Sequence, residues 1–341
     1  MSVVSKAETG WPTGDAPGEF AFGFSVPADV SRAIAAVVPG TDGAEWRALA
    51  ETEEPVGRFR VVGNGRPLFV RVSGDWGAPD LERGLIDHLQ DGGVEVNGFI
   101  EAGLALDWDG RKLRVDARPF LTGAQHFSGS LDELRVLANT LRRCHQALKG
   151  YPRSAAIQAR AQTRYTQLGS VRDFIGAAAK KRDWSAFHEL AAWAEANGAW
   201  LCEMADGYDA RLDLLPGAQC LHGEIHRANV LFNGEPPAAI LIDFEESVRH
   251  FAPPAWDLAY LVQRFCLHDD PPLEVLRERL AAVEAGYGRP LPEIGGFMRT
   301  AAWFATAIIV DLCVRERVLK PLAECDKFVR LERQGRDFQN Q

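Results

Sequence analysis

The sequence predicts an α+β protein in two lobes, a small antiparallel sheet with one main helix followed by a larger, mostly helical part. Three observations predict it. Two hairpin-type turns, Gly63-Asn64-Gly65 and Asp109-Gly110, lie between short apolar runs before residue 121; Gly and Asn accept the positive φ that such turns need. One segment of helical apolar period sits between the two hairpins. After Gly129 strands nearly vanish and long helix-periodic segments take over. At 341 residues the chain is too long for one ordinary core, and a division into residues 1–125 and 126–341 is expected.

Taken in order, residues 1–19 are rich in Gly, Pro and small polar residues and read as a loose tail. A short helix is expected over 27–38, then strands over 58–62 and 68–72. Leu81, Leu85, Ile86 and Leu89 recur at helical spacing and predict a helix over 79–90. Strands over 104–108 and 112–117 follow. Residues 112–118 alternate polar and apolar without a break, so one face of that strand is expected to be wet. Ser130 and Glu133 fit a capping box at the start of the next helix. Further helices are predicted over 155–180, 184–208, 255–265, 273–287 and 297–318, with short strands at 230–232 and 239–242.

Composition narrows the function. Residues 1–125 carry 12 basic and 19 acidic side chains and the remainder is near balance. No basic face of the kind that neutralises phosphates is evident, which argues against nucleic acid as a partner. Six scattered cysteines without a Cys-x-x-Cys pair read as buried thiols in a reducing compartment. The first eleven residues lack the apolar core of a signal peptide. The apolar run 301–310 is about half a membrane span, so it reads as a core helix and no membrane partner is expected. A cytoplasmic protein is the expectation; oligomeric state is not legible.

The chemistry concentrates in Leu221-His222-Gly223-Glu224-Ile225-His226-Arg227-Ala228-Asn229, followed by two short apolar runs around Asn233-Gly234 and ending at Ile242-Asp243-Phe244. An antiparallel return brings the end of the second run beside the start of the first. Asp243 is therefore expected next to Asn229. One carboxylate and one amide oxygen are hard ligands in small number, which suits Mg²⁺ shared with substrate phosphates. Glu224, five residues upstream, is a candidate to accept a proton from an attacking hydroxyl. That equipment suffices for phosphoryl transfer, in which positioning and charge neutralisation supply most of the catalysis.

The stretch from His222 to Asn229 resembles the His-Gly-Asp-x-His-x-x-Asn catalytic loop of the aminoglycoside phosphotransferase and choline kinase family. Ile242-Asp243-Phe244 resembles that family's metal-binding strand end, and Ala255-Trp256-Asp257-Leu258-Ala259 its following helix start. The resemblance implies a protein-kinase-like two-lobed fold and transfer of phosphate from ATP, or another nucleoside triphosphate, to a hydroxyl of a small molecule. It implies that Asn229 and Asp243 hold Mg²⁺, that Glu224 is the catalytic base, and that His222, His226 and Asp257 support the loop. By the same likeness Arg71 stands where a strand lysine contacts nucleotide phosphates, with Glu82 as its ion-pair partner.

Three departures accompany the likeness. Glu224 replaces Asp, and the extra methylene moves the carboxylate by roughly 1 Å, a displacement that can cost about 10²-fold in rate. Arg71 replaces lysine and turns a compact ammonium into a planar fork. The Gly-rich turn over the phosphates is reduced to Glu54-Pro55-Val56-Gly57. The alternative reading is therefore a pseudokinase-like ligand-binding or regulatory protein.

Plainer readings compete for several residues. His222 and His226 are four apart, but the Glu offset is wrong for a His-Glu-x-x-His zinc helix. Glu245 and Glu246 are expected to face solvent at a strand end. Trp184, Trp193 and Trp200 read as core rather than a ligand-stacking stripe.

Overall fold

The computed structural model describes residues 22–63, 65–209, 211–292, 294–314 and 322–339. The expected N-terminal tail, Asn64 of the first turn and the predicted end of the helix beyond 314 lie outside the described residues. The chain forms two compact units. One comprises the described residues up to Ala147 together with Arg227–Glu245; the other comprises Leu148–His226 and the described residues from Glu246 onward.

The first unit is built on β1 (Phe24–Ser25), α1 (Ala28–Ala35), β2 (Glu45–Ala48), β3 (Gly57–Val62), β4 (Leu68–Ser73), α2 (Pro79–Asp91), β5 (Glu101–Trp108) and β6 (Arg111–Pro119). Its six strands form an antiparallel sheet in the order β1-β2-β3-β4-β6-β5. Side chains alternate faces along each strand, and the register stacks Phe59, Val70 and Ala117 across three strands. Those residues, with Val61, Val72 and Val115, make one face of the sheet apolar, and Val30 and Ile34 of α1 belong to the same buried cluster.

The other face carries Arg58, Arg60, Arg71, Arg114, Asp116 and Arg118, and it departs from expectation. The polar side of β6 was predicted wet, yet Arg114, Asp116 and Arg118 are all buried. Arg114 Nη2 donates to Glu82 Oε2 at 2.8 Å and Arg118 Nη2 to Glu82 Oε1 at 2.7 Å, while Arg114 Nε donates to Asp116 Oδ1 at 3.0 Å. Strict alternation reports which residues share a face; it does not report that a helix bearing a carboxylate covers that face.

α3 (Leu131–Leu148) starts at the predicted place, with half of the predicted box. Ser130 Oγ accepts from Asp132 N, but Glu133 turns its carboxylate to Ser128 N and Oγ instead of closing on Ser130. The remainder of this unit is β8 (Val230–Asn233) paired antiparallel with β9 (Ala238–Leu241). Backbone bonds between Gln125 and Phe232, in both directions at 2.8 Å, and from Leu241 N to Glu95 O at 3.0 Å tie this hairpin to the first unit.

The second unit contains α4 (Ser154–Lys181), α5 (Ala191–Ala196), α6 (Gly198–Gly207), a two-stranded ladder of β7 (Gln219–Cys220) and β10 (Phe251–Ala252), α7 (Ala255–Leu261), α8 (Leu273–Tyr287), α9 (Gly295–Val314) and α10 (Leu322–Gln339). The single helix predicted over 184–208 is broken. It begins as a 3-10 turn, bends at His188, whose φ is 52°, and restarts after Asn197. Trp184 and Trp193 lie in the apolar core as expected, with Trp200 packed against it. α10 was not predicted. Gly335 on it sits where an added Cβ would come 2.8 Å from Met298 Cβ, so a bare backbone sets how closely α9 and α10 approach. Among the described residues α9 alone is long and apolar enough to cross a membrane, and 61% of its apolar window is buried inside the protein. Its apolarity serves the core. No disulfide links any of the six cysteines.

Candidate active site

In the first unit the site starts from the β8–β9 hairpin. Val230 pairs with Leu241 and Ile242 N donates to Asn229 O at 3.0 Å, so the residue after Ile242 emerges beside Asn229. The predicted juxtaposition of strand ends is thus a consequence of register. Asn229 is buried, and Asp243 adopts φ of 61°. A left-handed conformation in a non-glycine residue costs on the order of 1 kcal/mol or more and persists where the surroundings dictate it. Here it turns the chain out of the strand directly after Ile242.

Arg71 meets Asp243. Its Nη1 lies 3.3 Å from Asp243 Oδ1 and its Nη2 lies 2.6 Å from Glu245 Oε2. Burial opposes the arginine's charge, but Glu245 and Asp243 together outweigh it and hold the proton more tightly than usual. The expected Arg71–Glu82 pair is not formed. Arg71 stands opposite Asp116 in the register, and both oxygens of Glu82 are already taken by Arg114 and Arg118, which flank Asp116 on the same face of β6. Arg71, one strand further over, turns to the carboxylates after β9 instead. Glu245, predicted to face solvent, is its shorter partner.

A pocket of about 130 Å³ opens beside this pair, with Arg58, Arg60, Arg118, Phe69 and Phe120 in its wall and Ile242 and Asp243 at one side. Arg60 stacks 5.0 Å from the Phe120 ring centroid. Arg58 is Arg71's cross-strand partner, and burial together with the Arg71 charge pulls its pKa down. Arg58 and Arg60 stand outside every motif in the sequence. Their signal was the parity they share with Arg71 once the hairpin register is counted, which puts three guanidinium groups on one face of two neighbouring strands.

In the second unit the loop His222–His226 is held from below by Asp257, the third residue of α7. Its Oδ2 accepts from His222 N at 3.0 Å and its Oδ1 from Gly223 N at 2.9 Å. Ser247 Oγ donates to His222 O at 2.7 Å, and Trp256 Nε1 donates to Gly223 O at 3.0 Å. Gly223 has φ of 89°, and a Cβ there would lie 3.2 Å from His250 Cβ; glycine is what the turn requires. Glu224 N approaches His222 Nδ1 at 3.4 Å, and the Glu224 carboxylate lies 3.6 Å from His226 Nε2. His222 is fully buried and Glu224 is part-exposed.

Beneath the loop, Glu246 is largely covered, with its side chain 14% exposed, rather than solvent-facing. Burial opposes its charge, but Arg164, His250 and Arg249 around it drive its pKa well below the carboxylate range. Burial also lowers the pKa of His250.

Among solved structures the fold is similar to several small-molecule phosphotransferases. An aminoglycoside phosphotransferase from Alicyclobacillus acidocaldarius is 17% identical, with a TM-score of 0.51 over 89% of this chain and 93% of that one. An AMP-bound spectinomycin phosphotransferase is 17% identical with a TM-score of 0.56, covering 81% and 87%. A microcompartment-associated aminopropanol kinase is 14% identical with a TM-score of 0.52, covering 91% and 95%. At these identities the likeness is one of fold. No curated protein matches the sequence. Residues 45–293 match the model of the phosphotransferase enzyme family, and the chain belongs to that family.

Proposed function

We propose that this chain transfers the terminal phosphate of a nucleoside triphosphate, with Mg²⁺, to a hydroxyl of a small molecule. The observation that carries the reading is the register of β8 and β9, which joins Asn229 and Asp243 at one strand end beside a pocket walled by arginines. The likeness in fold to an AMP-bound phosphotransferase and to an aminopropanol kinase supports nucleotide as donor and an alcohol as acceptor.

The donor set fits Mg²⁺. Among the described residues no three His, Cys, Asp or Glu side chains converge to cage a metal. One amide and one carboxylate oxygen suit an ion that fills its other positions with phosphate oxygens and water. Bound there, Mg²⁺ would neutralise phosphate charge. Arg71 would steady the phosphates while remaining next to Asp243. Glu224 would take the proton of the acceptor hydroxyl as its oxygen bonds to phosphorus and the nucleoside diphosphate leaves. Asp257 would keep the loop in place through its two backbone bonds. His222 and His226 would orient Glu224. Glu82 would act on Arg71 only indirectly, by fixing the β6 charges around it.

Coupled measurement of nucleoside diphosphate release over a panel of alcohols tests the proposal. Glu224→Gln is expected to lower turnover by about 10²–10⁴-fold, the usual worth of a positioned base. Undiminished turnover in that variant would remove Glu224 from the mechanism.

A further inference from the structure

The acceptor's charge can be read from the second unit. The helix face that grips the His222–Gly223 backbone through Asp257 continues along the same run: at 3.6 residues per turn, positions 257, 260 and 264 lie on one side. They are Asp257, Tyr260 and Arg264. After Leu261 the helix widens into a π turn over Val262–Cys266, a feature that concentrates at functional sites. Arg264 is at its centre.

Arg264 is unusually placed for a cation. Its Cζ lies 5.8 Å from the Tyr260 ring centroid. Its Nε is buried without a hydrogen-bond partner, and no ion pair to it occurs among the described residues. Burial lowers its pKa, opposed by Tyr260, Glu224 and Glu324. The charge of Glu224 also acts on Tyr260 and on Lys327 of α10. Lys327 has a partner, Glu324, at 3.5 Å, and its pKa is lowered first by burial and then by the like charge of Arg264. Tyr260, Arg264 and Lys327 therefore share the electrostatic neighbourhood of Glu224.

We propose that Arg264, assisted by Lys327, anchors an anionic group on the acceptor, so that the substrate of this chain is a hydroxyl compound bearing a carboxylate or a phosphate. A buried Nε with no hydrogen-bond partner among the described residues is costly, and a planar oxyanion meets the donors of the guanidinium fork. A cationic amino alcohol or aminoglycoside would be repelled by Arg264 at the point where its hydroxyl must approach Glu224. When Glu224 takes the hydroxyl proton, its own charge is lost and the anchored anion becomes the counter-charge to Arg264. The inference rests on the phosphotransferase reading for the role of Glu224; binding of the anion does not.

The test uses the full chain with glycerate, glycerol 3-phosphate, glycerol and choline, each assayed for nucleotide-dependent phosphorylation and for binding by calorimetry. Glycerate or glycerol 3-phosphate is expected to exceed glycerol by about 10-fold or more in kcat/KM, with choline last, since a charged hydrogen bond is worth about 10- to 100-fold. Which of the two anions leads identifies the group. Arg264→Gln should raise KM for the anions by about that factor, cost glycerol less than it costs the anions, and be partly rescued by Arg264→Lys. Choline as the best acceptor, or an anion preference untouched in Arg264→Gln, would overturn the inference. Should no alcohol be phosphorylated, anion binding lost in Arg264→Gln would uphold it while removing the phosphotransferase reading. Absence of anion binding by the unmutated protein would overturn it. Lys327→Gln, on a different helix, gives a second test should Arg264→Gln not fold; no loss of anion affinity there would count equally against the cluster.

Discussion

Two groups of arginines and carboxylates in the first unit differ in one respect. Around Glu82 every charge is matched in the interior: the carboxylate side chain is 3% exposed and Arg114 and Arg118 close on it from both sides. Around Asp243 the same chemistry is open, with Arg71, Asp243 and Glu245 side chains 26%, 16% and 35% exposed. The closed group specifies how α2 sits on the sheet, and of its members only Arg118 reaches the pocket wall. The open group can exchange partners, which a phosphate-handling site requires. Residue type does not separate them; depth does.

The comparison makes predictions of decreasing size. Glu82→Ala strands two buried guanidinium groups and should cost about 3–5 kcal/mol of stability, measured by chemical denaturation; a loss below about 1 kcal/mol would show that the group is not closed. Asp257→Ala leaves two inward N–H groups, those of His222 and Gly223, without their acceptor. Each such loss costs about 1–3 kcal/mol, so this variant should fall next, with faster amide exchange at 222 and 223.

A pH titration probes the pair below the loop. The folded pKa of His250 is lowered mainly by burial, so its contribution is complete above the unfolded value of about 6.5 and declines as pH falls through that region. Glu246 is also lowered, against burial, by Arg164, His250 and Arg249. Its contribution is complete above about 4.3 and is lost on further acidification. Stability should therefore drop in two stages below neutrality, each displaced unit being worth about 1.4 kcal/mol, and His250→Gln should remove the upper stage. The smallest effect belongs to Glu245→Gln. An exposed pair contributes about 0–1 kcal/mol, so stability should scarcely change, while release of Arg71 should tighten nucleotide binding and steepen its salt dependence.

Much of this was legible in the residues. Asp109-Gly110 marked a hairpin, Leu81 to Leu89 marked α2, and the interval between Asn229 and Asp243 marked a return of the chain that the register of β8 and β9 reproduces. What escaped depended on neighbours distant in sequence. Arg114 and Arg118 looked solvent-exposed because alternation carries no information about Glu82. Glu246 looked like a strand-end charge because Arg164 is 82 residues away. The π turn at Arg264 reads as ordinary helix in one dimension, and α10 was passed over although Cys325, Val329 and Leu331 are buried.

The proposed phosphate transfer depends on Asp243 being a metal and phosphate contact and not a structural counter-ion to Arg71. Thermal unfolding of the unmutated protein and of Asp243→Ala, each with nucleoside triphosphate in the presence and absence of Mg²⁺, tests it most directly. A Mg²⁺-dependent rise in Tm is expected for the unmutated chain and is expected to vanish in Asp243→Ala, with the two unliganded Tm values close together. An equal Mg²⁺-dependent rise in both proteins, or none in the unmutated one, would contradict it.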